Sequence, residues 1–412
     1  MLFQGNNALI KNAYLRPLIT MVDSNNLKSR KIFSFLLKKE CIIAVYILLA
    51  IIAGFKQYQH HSYNNYLIFK YVYYHTIDLQ NLYNNYPEYG DSNHYGPIFS
   101  VFIAPFALLP DGLGMILWNV ANVAVLLFGI FSLPISIRKR SIIAWICAHE
   151  TLTALFSFQF NIALTGLIIL SFSYLIKQKE VKSALLIAIG TLIKLYGIVG
   201  LAFFFFARNK LKFIIAGLIA FCILFALPII LSSPTFVVQS YADWYNSLVH
   251  KNATNASLTS FQDISLMGMA RRISGNVELS NTPFLLGGLL LFGLPYLRVS
   301  QFKHLAFRLM VLASTLIFTV IFSSGSESPT YIIAFAGVAI WFVIQQKNNW
   351  VVGLFIFAFI LTSLSPTDIF PRAIKEFIRL YSLKALPCII IWLTIIFQML
   401  KEDFGSYLTT DK

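Results

Sequence analysis

The sequence predicts an all-α protein that crosses a membrane many times. Of its 412 residues, 58% are hydrophobic and only 12% are charged, where a soluble domain carries about 25% charged residues. Apolar runs close to the ~20 residues that span a bilayer recur along the whole length. The 38 Phe and 20 Tyr suit lipid-facing and interfacial positions.

The elements follow in order. The first 40 residues are polar and basic, and the first apolar run, Cys41 to Phe55, lacks a small-residue cleavage site, so it reads as a signal anchor. Candidate membrane segments lie near 41–57, 95–110, 112–134, 142–158, 161–176, 183–206, 212–231, 284–299, 306–323, 330–346, 350–364 and 383–400. That gives a cytoplasmic segment 1–40, a single transmembrane domain 41–400 with outer loops 56–97 and 233–282, and a cytoplasmic tail 401–412. No soluble domain or convincing internal repeat interrupts it. Cys41, Cys147, Cys222 and Cys388 all fall in apolar segments without metal-ligand spacing and are expected to be buried free thiols.

The net charge of +15 raises nucleic acid as a partner, but its distribution points to a membrane instead. Lys28, Arg30, Lys31, Lys38 and Lys39 precede the first segment and hold the N-terminus in the cytoplasm by the positive-inside rule. In the frame that follows, the cytoplasmic segments carry 19 Lys/Arg and six acids, and the outer loops eight Lys/Arg and nine acids. Topology and anionic lipid account for that excess. Two regions resist the frame. "IRKRS", 137–141, belongs inside by charge, yet counting passes through 95–110 and 112–134 puts it outside, so 95–110, 142–158 or 161–176 is a candidate re-entrant segment. The run 183–206 is one pass long but basic at both ends; a broken hairpin around "IKLYG", 193–197, would remove the conflict. Such a break is tolerated where backbone is buried in protein or lines a cavity.

Residues able to carry chemistry gather on the outer side. The first outer loop holds Asp78, Glu88, Asp91 and His94 among many tyrosines, and "NNYLIFKYVYYHTIDLQNLY" reads as short interfacial helices. An acid at a membrane-facing cavity can take the proton of an attacking sugar hydroxyl; a solvated loop carboxylate is the alternative for each. Lys194 lies within apolar sequence, where a cation is functional by default and could hold a lipid phosphate; snorkelling to an interface is the alternative. Glu150, in "WICAHETLTALF", also needs a partner, with Lys194 or His149 as candidates. Glu327 falls in a very short outer loop. Arg271 and Arg272 either bind phosphate or pair with Asp263 or Glu278. No P-loop, dinucleotide fold, Ser-His-Asp order or metal cluster is visible, so an activated donor would be lipid-borne.

"YGPIFSVFIAPFALLP" is similar to the signature that follows the first loop of glycosyltransferase family 87, integral-membrane enzymes of the GT-C superfamily. "SFQFN" (157–161), "LIKLYG" (192–197), "SESPTYIIAFAGVAIWF" (326–342) and "LTSLSPTDIFPR" (361–372) resemble later blocks of its Bacteroidetes-type members. The resemblance implies a GT-C-like helical bundle of about 10–12 membrane segments. It implies a polyprenyl-phosphate-linked sugar donor, often mannose, and transfer with inversion on the outer face to a cell-envelope glycan or lipid. It also implies a catalytic acid in the first outer loop. Where many members carry an early Asp this chain has Asn64-Asn65, and where many have "DLY" it has Asn81-Leu82-Tyr83. Asp91 matches an acidic position before "YGP" and becomes the first candidate base, with Asp78 and Glu88 behind it. Lys194 matches the family's Lys-x-Tyr block as the donor-phosphate residue, with Arg271 and Arg272 beside it. His94, Tyr95, Glu150, Gln159, Asn161, Tyr196, Glu327 and Tyr331 are expected to line the site. Some GT-C enzymes need a divalent cation; no ligand cluster is visible, so no cofactor is assigned and metal dependence stays open. The expected location is a bacterial inner membrane, N-terminus in the cytoplasm and site on the periplasmic side, with no nucleic acid partner. Two other readings are a transporter or flippase of a lipid-linked sugar, and an inactive scaffold suggested by Asn65 and Asn81.

Overall fold

A computed structural model describes residues 34–260 and 262–408, with no strand among them. Residues 34–45, a helical turn and the first part of helix α1 (Lys39–Gln59), form one unit, and the chain from Tyr46 onward forms a second. Lys28, Arg30 and Lys31, which set the expected side of the N-terminus, lie outside the described residues.

Four helices are long and apolar enough to cross a membrane: α1, α4 (Asp111–Ser132), the run Lys210–Leu231 that contains α8 (Lys210–Ala226), and the run Leu383–Lys401 that contains α16 (Leu386–Lys401). Shorter apolar helices accompany them. These include α6 (Asn161–Ile176), α12 (Leu305–Ile321), α13 (Tyr331–Ile344) and α14 (Asn349–Ala358) with its π turn Phe359–Leu364. The chain is a polytopic helical membrane protein. Helix α13 is apolar on every side and buried along almost its whole length, so it forms the centre of the bundle.

Both topological conflicts in the sequence have structural causes. The stretch 95–110, expected as a membrane segment, holds only the nine-residue helix α3 (Phe99–Ala107) with Pro105 inside it. At 1.5 Å per residue that is about 14 Å, too short for a ~30 Å hydrocarbon core. "IRKRS" then opens helix α5 (Ile137–Phe156) at the same end of the bundle as the other basic groups. There Lys177 Nζ donates to Ser132 O at 2.9 Å, Arg140 Nη1 to Phe131 O at 2.8 Å, and Arg208 Nη1 to the Gln178 side chain at 2.8 Å.

The second conflict resolves as a hairpin. Helix α7 (Glu180–Ile193) runs away from the basic end, the chain turns at Lys194, and a 3-10 arm, Leu195–Phe206, returns. The two feet meet where Asn209 N donates to Glu180 Oε1 at 3.2 Å. At the turn the backbones touch: a Cβ on Gly197 would lie 2.2 Å from Gly190 C, so only glycine fits. In a 3-10 helix residues three apart eclipse. Gly197, Gly200, Phe203 and Phe206 accordingly form one buried line, while Leu195, Ile198 and Leu201 form an exposed one.

The loops expected on the outer side hold α2 (Asn64–Ile77), α9 (Pro234–Asn255), α10 (Leu266–Ser274) and α15 (Arg372–Leu380). Ser233 caps α9 and Pro234 opens it, a pairing suited to a helix start. Cys147 and Cys388 are buried as expected. Cys41 is partly exposed, and Cys222 is exposed on the outward apolar face of α8, so burial does not hold for all four.

Candidate active site

A cavity of about 410 Å³ opens at the end of the bundle opposite the basic groups. Its floor is the hairpin turn. The Lys194 ammonium, four residues past Gly190, donates to Asn161 Oδ1 at 2.8 Å and sits 5.6 Å from the Tyr95 ring and 4.9 Å from the Tyr196 ring. Among the described residues no carboxylate lies within ion-pair distance of it.

The "YGP" motif is explained by this floor. Gly96 N donates to Ile193 O at 2.9 Å, and a Cβ on Gly96 would lie 1.9 Å from Leu192 O. Glycine therefore lets the first outer loop dock directly on the hairpin turn, which lays the preceding Tyr95 over the cation.

The "SFQFN" block supplies a second wall. Asn161 Nδ2 donates to Gln159 Oε1 at 2.9 Å, and Gln159 Nε2 reaches Glu327 Oε2 at 3.4 Å. Glu327 caps the turn Ser328–Thr330 that leads into α13. Its side chain accepts the Thr330 N–H, and the Thr330 hydroxyl accepts the Glu327 N–H at 3.3 Å. Burial pushes the Glu327 carboxyl above the usual carboxylate range, with Lys194 and Lys251 pulling it back and Asp91 adding to the rise.

At the mouth, Asp91 adopts a left-handed φ of 75° and its side chain is 53% exposed. One carboxylate oxygen caps Ser92 N at 2.8 Å and the other lies 3.6 Å from Lys251 Nζ. The His94 ring contacts Ser247 Oγ at 3.1 Å through Nδ1, and Ser247 Oγ lies 3.4 Å from Asn93 O. Burial, with Lys251 adding to it and Asp91 opposing, lowers the His94 imidazole to about 4, which keeps it neutral near pH 7.

Of the residues singled out in the sequence, Asp91, His94, Tyr95, Gln159, Lys194, Tyr196 and Glu327 line this one cavity, with Asn161 bonded directly behind. The others lie elsewhere. Asp78, just after α2, and Glu88 are exposed and do not line the cavity. Arg271 is buried in an ion pair with Asp263 and also donates to Leu279 O at 3.0 Å, while Arg272 donates to Leu258 O at 2.6 Å. Both arginines are thus committed to folding the second outer loop. Tyr331 is buried outside the cavity, its hydroxyl donating to Ile264 O at 2.8 Å. Glu150 pairs with neither Lys194 nor His149. Its partner is Lys384, at 3.2 Å, and His149 bonds Ser363 instead. Lys384 is more than two hundred residues away in sequence, and burial of both groups is what drives the pairing.

Sequence reasoning missed Lys251, Asn252 and Asn255 on α9, and Ser323 and Ser324 after α12, all of which line the cavity. A signal existed for the first group. Leu248, Lys251, Asn252 and Asn255 recur at the i, i+3, i+4, i+7 spacing of one helical face. Asn65, where the resemblance expects Asp, also lines the cavity and donates to Ser157 O at 2.9 Å. An apolar recess of about 510 Å³, walled by Ile198, Val199, Leu285, Phe318 and Phe322, adjoins the polar cavity and shares Leu195, Tyr196, Asn252, Ser323 and Ser324 with it. No three His, Cys, Asp or Glu side chains gather as a metal site among the described residues.

Residues 93–324, more than half of the chain, match the model of glycosyltransferase family 87. The structure is similar to the crystal structure of ArnT from Cupriavidus metallidurans bound to undecaprenyl phosphate, at 14% identity and a TM-score of 0.38, over 87% of this chain and 76% of that one. At that score the likeness decides neither fold nor ligand. No curated protein sequence matches the chain.

Proposed function

Because the chain belongs to glycosyltransferase family 87, we propose that its cavity moves a hexose, mannose first among candidates, from a polyprenyl-phosphate donor to a glycan or lipid acceptor of the cell envelope, with inversion. The observation that carries this reading is Lys194: a half-buried ammonium with no carboxylate within ion-pair distance among the described residues, presented to a polar cavity that adjoins an apolar recess. A prenyl phosphate has the same two parts. Its anion is held by Lys194, with Lys251 as the second cation, and its isoprenoid chain lies along Ile198, Val199, Leu285, Phe318 and Phe322.

The chemistry balances as one displacement. The acceptor hydroxyl oxygen bonds to the anomeric carbon as its proton passes to a carboxylate. The anomeric C–O bond breaks with its electron pair going to the phosphate oxygen. The donor phosphodiester carries one negative charge and the departing prenyl phosphate gains a second, so a fixed cation stabilises the transition state more than the bound donor. Asp91 and Glu327 are the carboxylates that line the cavity. Asn65, Gln159, Asn255 and neutral His94 offer hydrogen bonds to sugar hydroxyls.

The membrane side follows from charge. Arg138, Lys139, Arg140, Lys177, Lys179, Arg208 and Lys210 gather at the end away from the cavity, which the positive-inside rule places in the cytoplasm. The site then faces the periplasm of a bacterial inner membrane, and the N-terminus is cytoplasmic. The test is incubation of purified protein in nanodiscs with polyprenyl-phosphate mannose labelled in the sugar and octyl mannoside as acceptor. Transfer of label with inverted anomeric configuration is expected. Failure of this donor and its glucosyl and arabinosyl counterparts to lose label overturns the donor class.

A further inference from the structure

Two carboxylates share the cavity, and their surroundings differ in kind. Asp91 stands at the mouth, more than half exposed, with one oxygen on Ser92 N and the other turned to Lys251. Water and a cation already serve it. Glu327 stands inside, partly exposed to the cavity, at the start of the turn that leads into the central helix α13. Its backbone is fixed by the reciprocal bonds with Thr330. The next residue is fixed from behind, where the Lys384 ammonium, itself paired with Glu150, donates to Ser328 Oγ at 2.8 Å and to Ser328 O at 3.3 Å.

The link between Glu327 and Lys194 is the deciding feature. The two opposite charges do not meet. Between them stands a chain of neutral amides: Lys194 to Asn161 at 2.8 Å, Asn161 to Gln159 at 2.9 Å, and Gln159 to Glu327 at 3.4 Å. An amide neither gives up nor takes a proton at neutral pH, so the chain orients both groups without neutralising either. A direct salt bridge would have left one buried pair with nothing to offer a substrate. The spacer instead keeps a cation and an anion apart, both facing the same cavity, as a reaction needs when it delivers charge to a leaving phosphate and removes a proton from an attacking hydroxyl.

We propose that Glu327, and not Asp91, is the general base: its carboxylate takes the acceptor hydroxyl proton as that oxygen bonds to the anomeric carbon, while the electron pair of the cleaved bond leaves on the prenyl phosphate beside Lys194. The proton then passes from Glu327 to water in the open cavity. Asp91 holds Lys251 at the mouth and acts on donor capture. The assignment rests on the prenyl-phosphate donor reading above. It also accounts for Asn65, since a base delivered by the turn before α13 removes the need for an acid on α2.

The test compares Glu327→Gln with Asp91→Asn in the full-length protein, using polyprenyl-phosphate mannose and octyl mannoside. Gln keeps an oxygen for the Thr330 N–H, so the turn is retained. In Glu327→Gln, kcat is expected to fall by about 10²- to 10⁴-fold, with the donor Kd within threefold of wild type and the acid limb of the kcat/KM pH profile lost from the residual activity. In Asp91→Asn, a fall of no more than about tenfold in kcat/KM, through donor KM, is expected, with the acid limb retained. Glu327→Gln turning over at a tenth or more of the wild-type kcat overturns the assignment, as does loss of donor binding in that variant, which would make Glu327 a structural or donor-holding group. A hundredfold fall in kcat confined to Asp91→Asn returns the base to Asp91. A wild-type protein that fails to use the donor refutes the donor reading itself, and the assignment with it.

Discussion

Replacement of Lys194 by Met removes one charge and keeps a side chain of similar length in the turn between α7 and the 3-10 arm. In the free protein the ammonium meets one neutral oxygen, Asn161 Oδ1 at 2.8 Å, and two ring faces. Its cation–π contacts contribute about 0.5–2 kcal/mol, and a charged hydrogen bond about 1.5–3 kcal/mol. Placing a lysine within a membrane segment costs about 2.5–3.5 kcal/mol. These nearly cancel, so Lys194→Met is expected to unfold within a few degrees of wild type. Function responds differently. Losing a charged contact to the donor phosphate weakens binding by about 10- to 100-fold, at 1.4 kcal/mol per decade. Losing the cation that meets the second phosphate charge lowers kcat by a further ~10²- to 10³-fold. The assays are donor binding with labelled polyprenyl-phosphate mannose, single-turnover transfer, and thermal unfolding in the same nanodiscs. Donor binding within twofold and turnover within fivefold of wild type would refute the phosphate role. A collapse in thermal stability would show instead that the cation is a structural pin.

Three further outcomes follow from particular contacts. Lys384→Ala leaves Glu150 as an uncompensated buried charge and is expected to destabilise by about 3–5 kcal/mol, with Glu150→Met/Lys384→Met recovering most of the loss in a thermal-unfolding cycle. Burial raises the Glu327 carboxyl in the folded state, with Lys194 and Lys251 opposing and Asp91 assisting, so its contribution to stability is present below the ordinary carboxylate range and is lost as pH rises through the raised value. Glu327→Gln should therefore melt above wild type at pH 7.5 and level with it below about pH 4; a difference that grows on acidification contradicts the sign. For topology, Glu278→Cys should react with a membrane-impermeant maleimide in spheroplasts and Lys179→Cys only after permeabilisation, and the reverse pattern would invert the frame.

Some of this architecture could be read directly from the chain. A lysine inside apolar sequence marked the hairpin turn, and basic groups at both ends of 183–206 marked its two feet, because charge in a membrane segment has few places to go. The family blocks placed Tyr95, Gln159, Asn161 and Tyr196 at one site. Other features were hidden for a common reason: they depend on which distant segments meet. The partner of Glu150 is Lys384, at the start of the expected segment 383–400, and nothing near either residue in sequence indicates that the two meet. Asp263 claims Arg271, which removes a candidate phosphate ligand. Lys251 is missed in the sequence because its place at the cavity depends on α9 laying one face over it. The segment 95–110 has the apolar content of a crossing helix but not its length, because Gly96 docks on the hairpin and Pro105 falls within the short helix.

The 3-10 geometry of the returning arm fixes how deep the reactive end sits. Twelve residues at about 2.0 Å each reach ~24 Å, level with the ~21 Å of fourteen α-helical residues in the opposite limb. Rewound as an α-helix, the same twelve would shorten by about 6 Å and would turn Phe206 nearly half a revolution from the line set by Gly197. The pitch of one limb thus acts as a ruler, and its Gly-x-x-Gly-x-x-Phe-x-x-Phe spelling is the graduation that keeps the ammonium at the floor of the cavity.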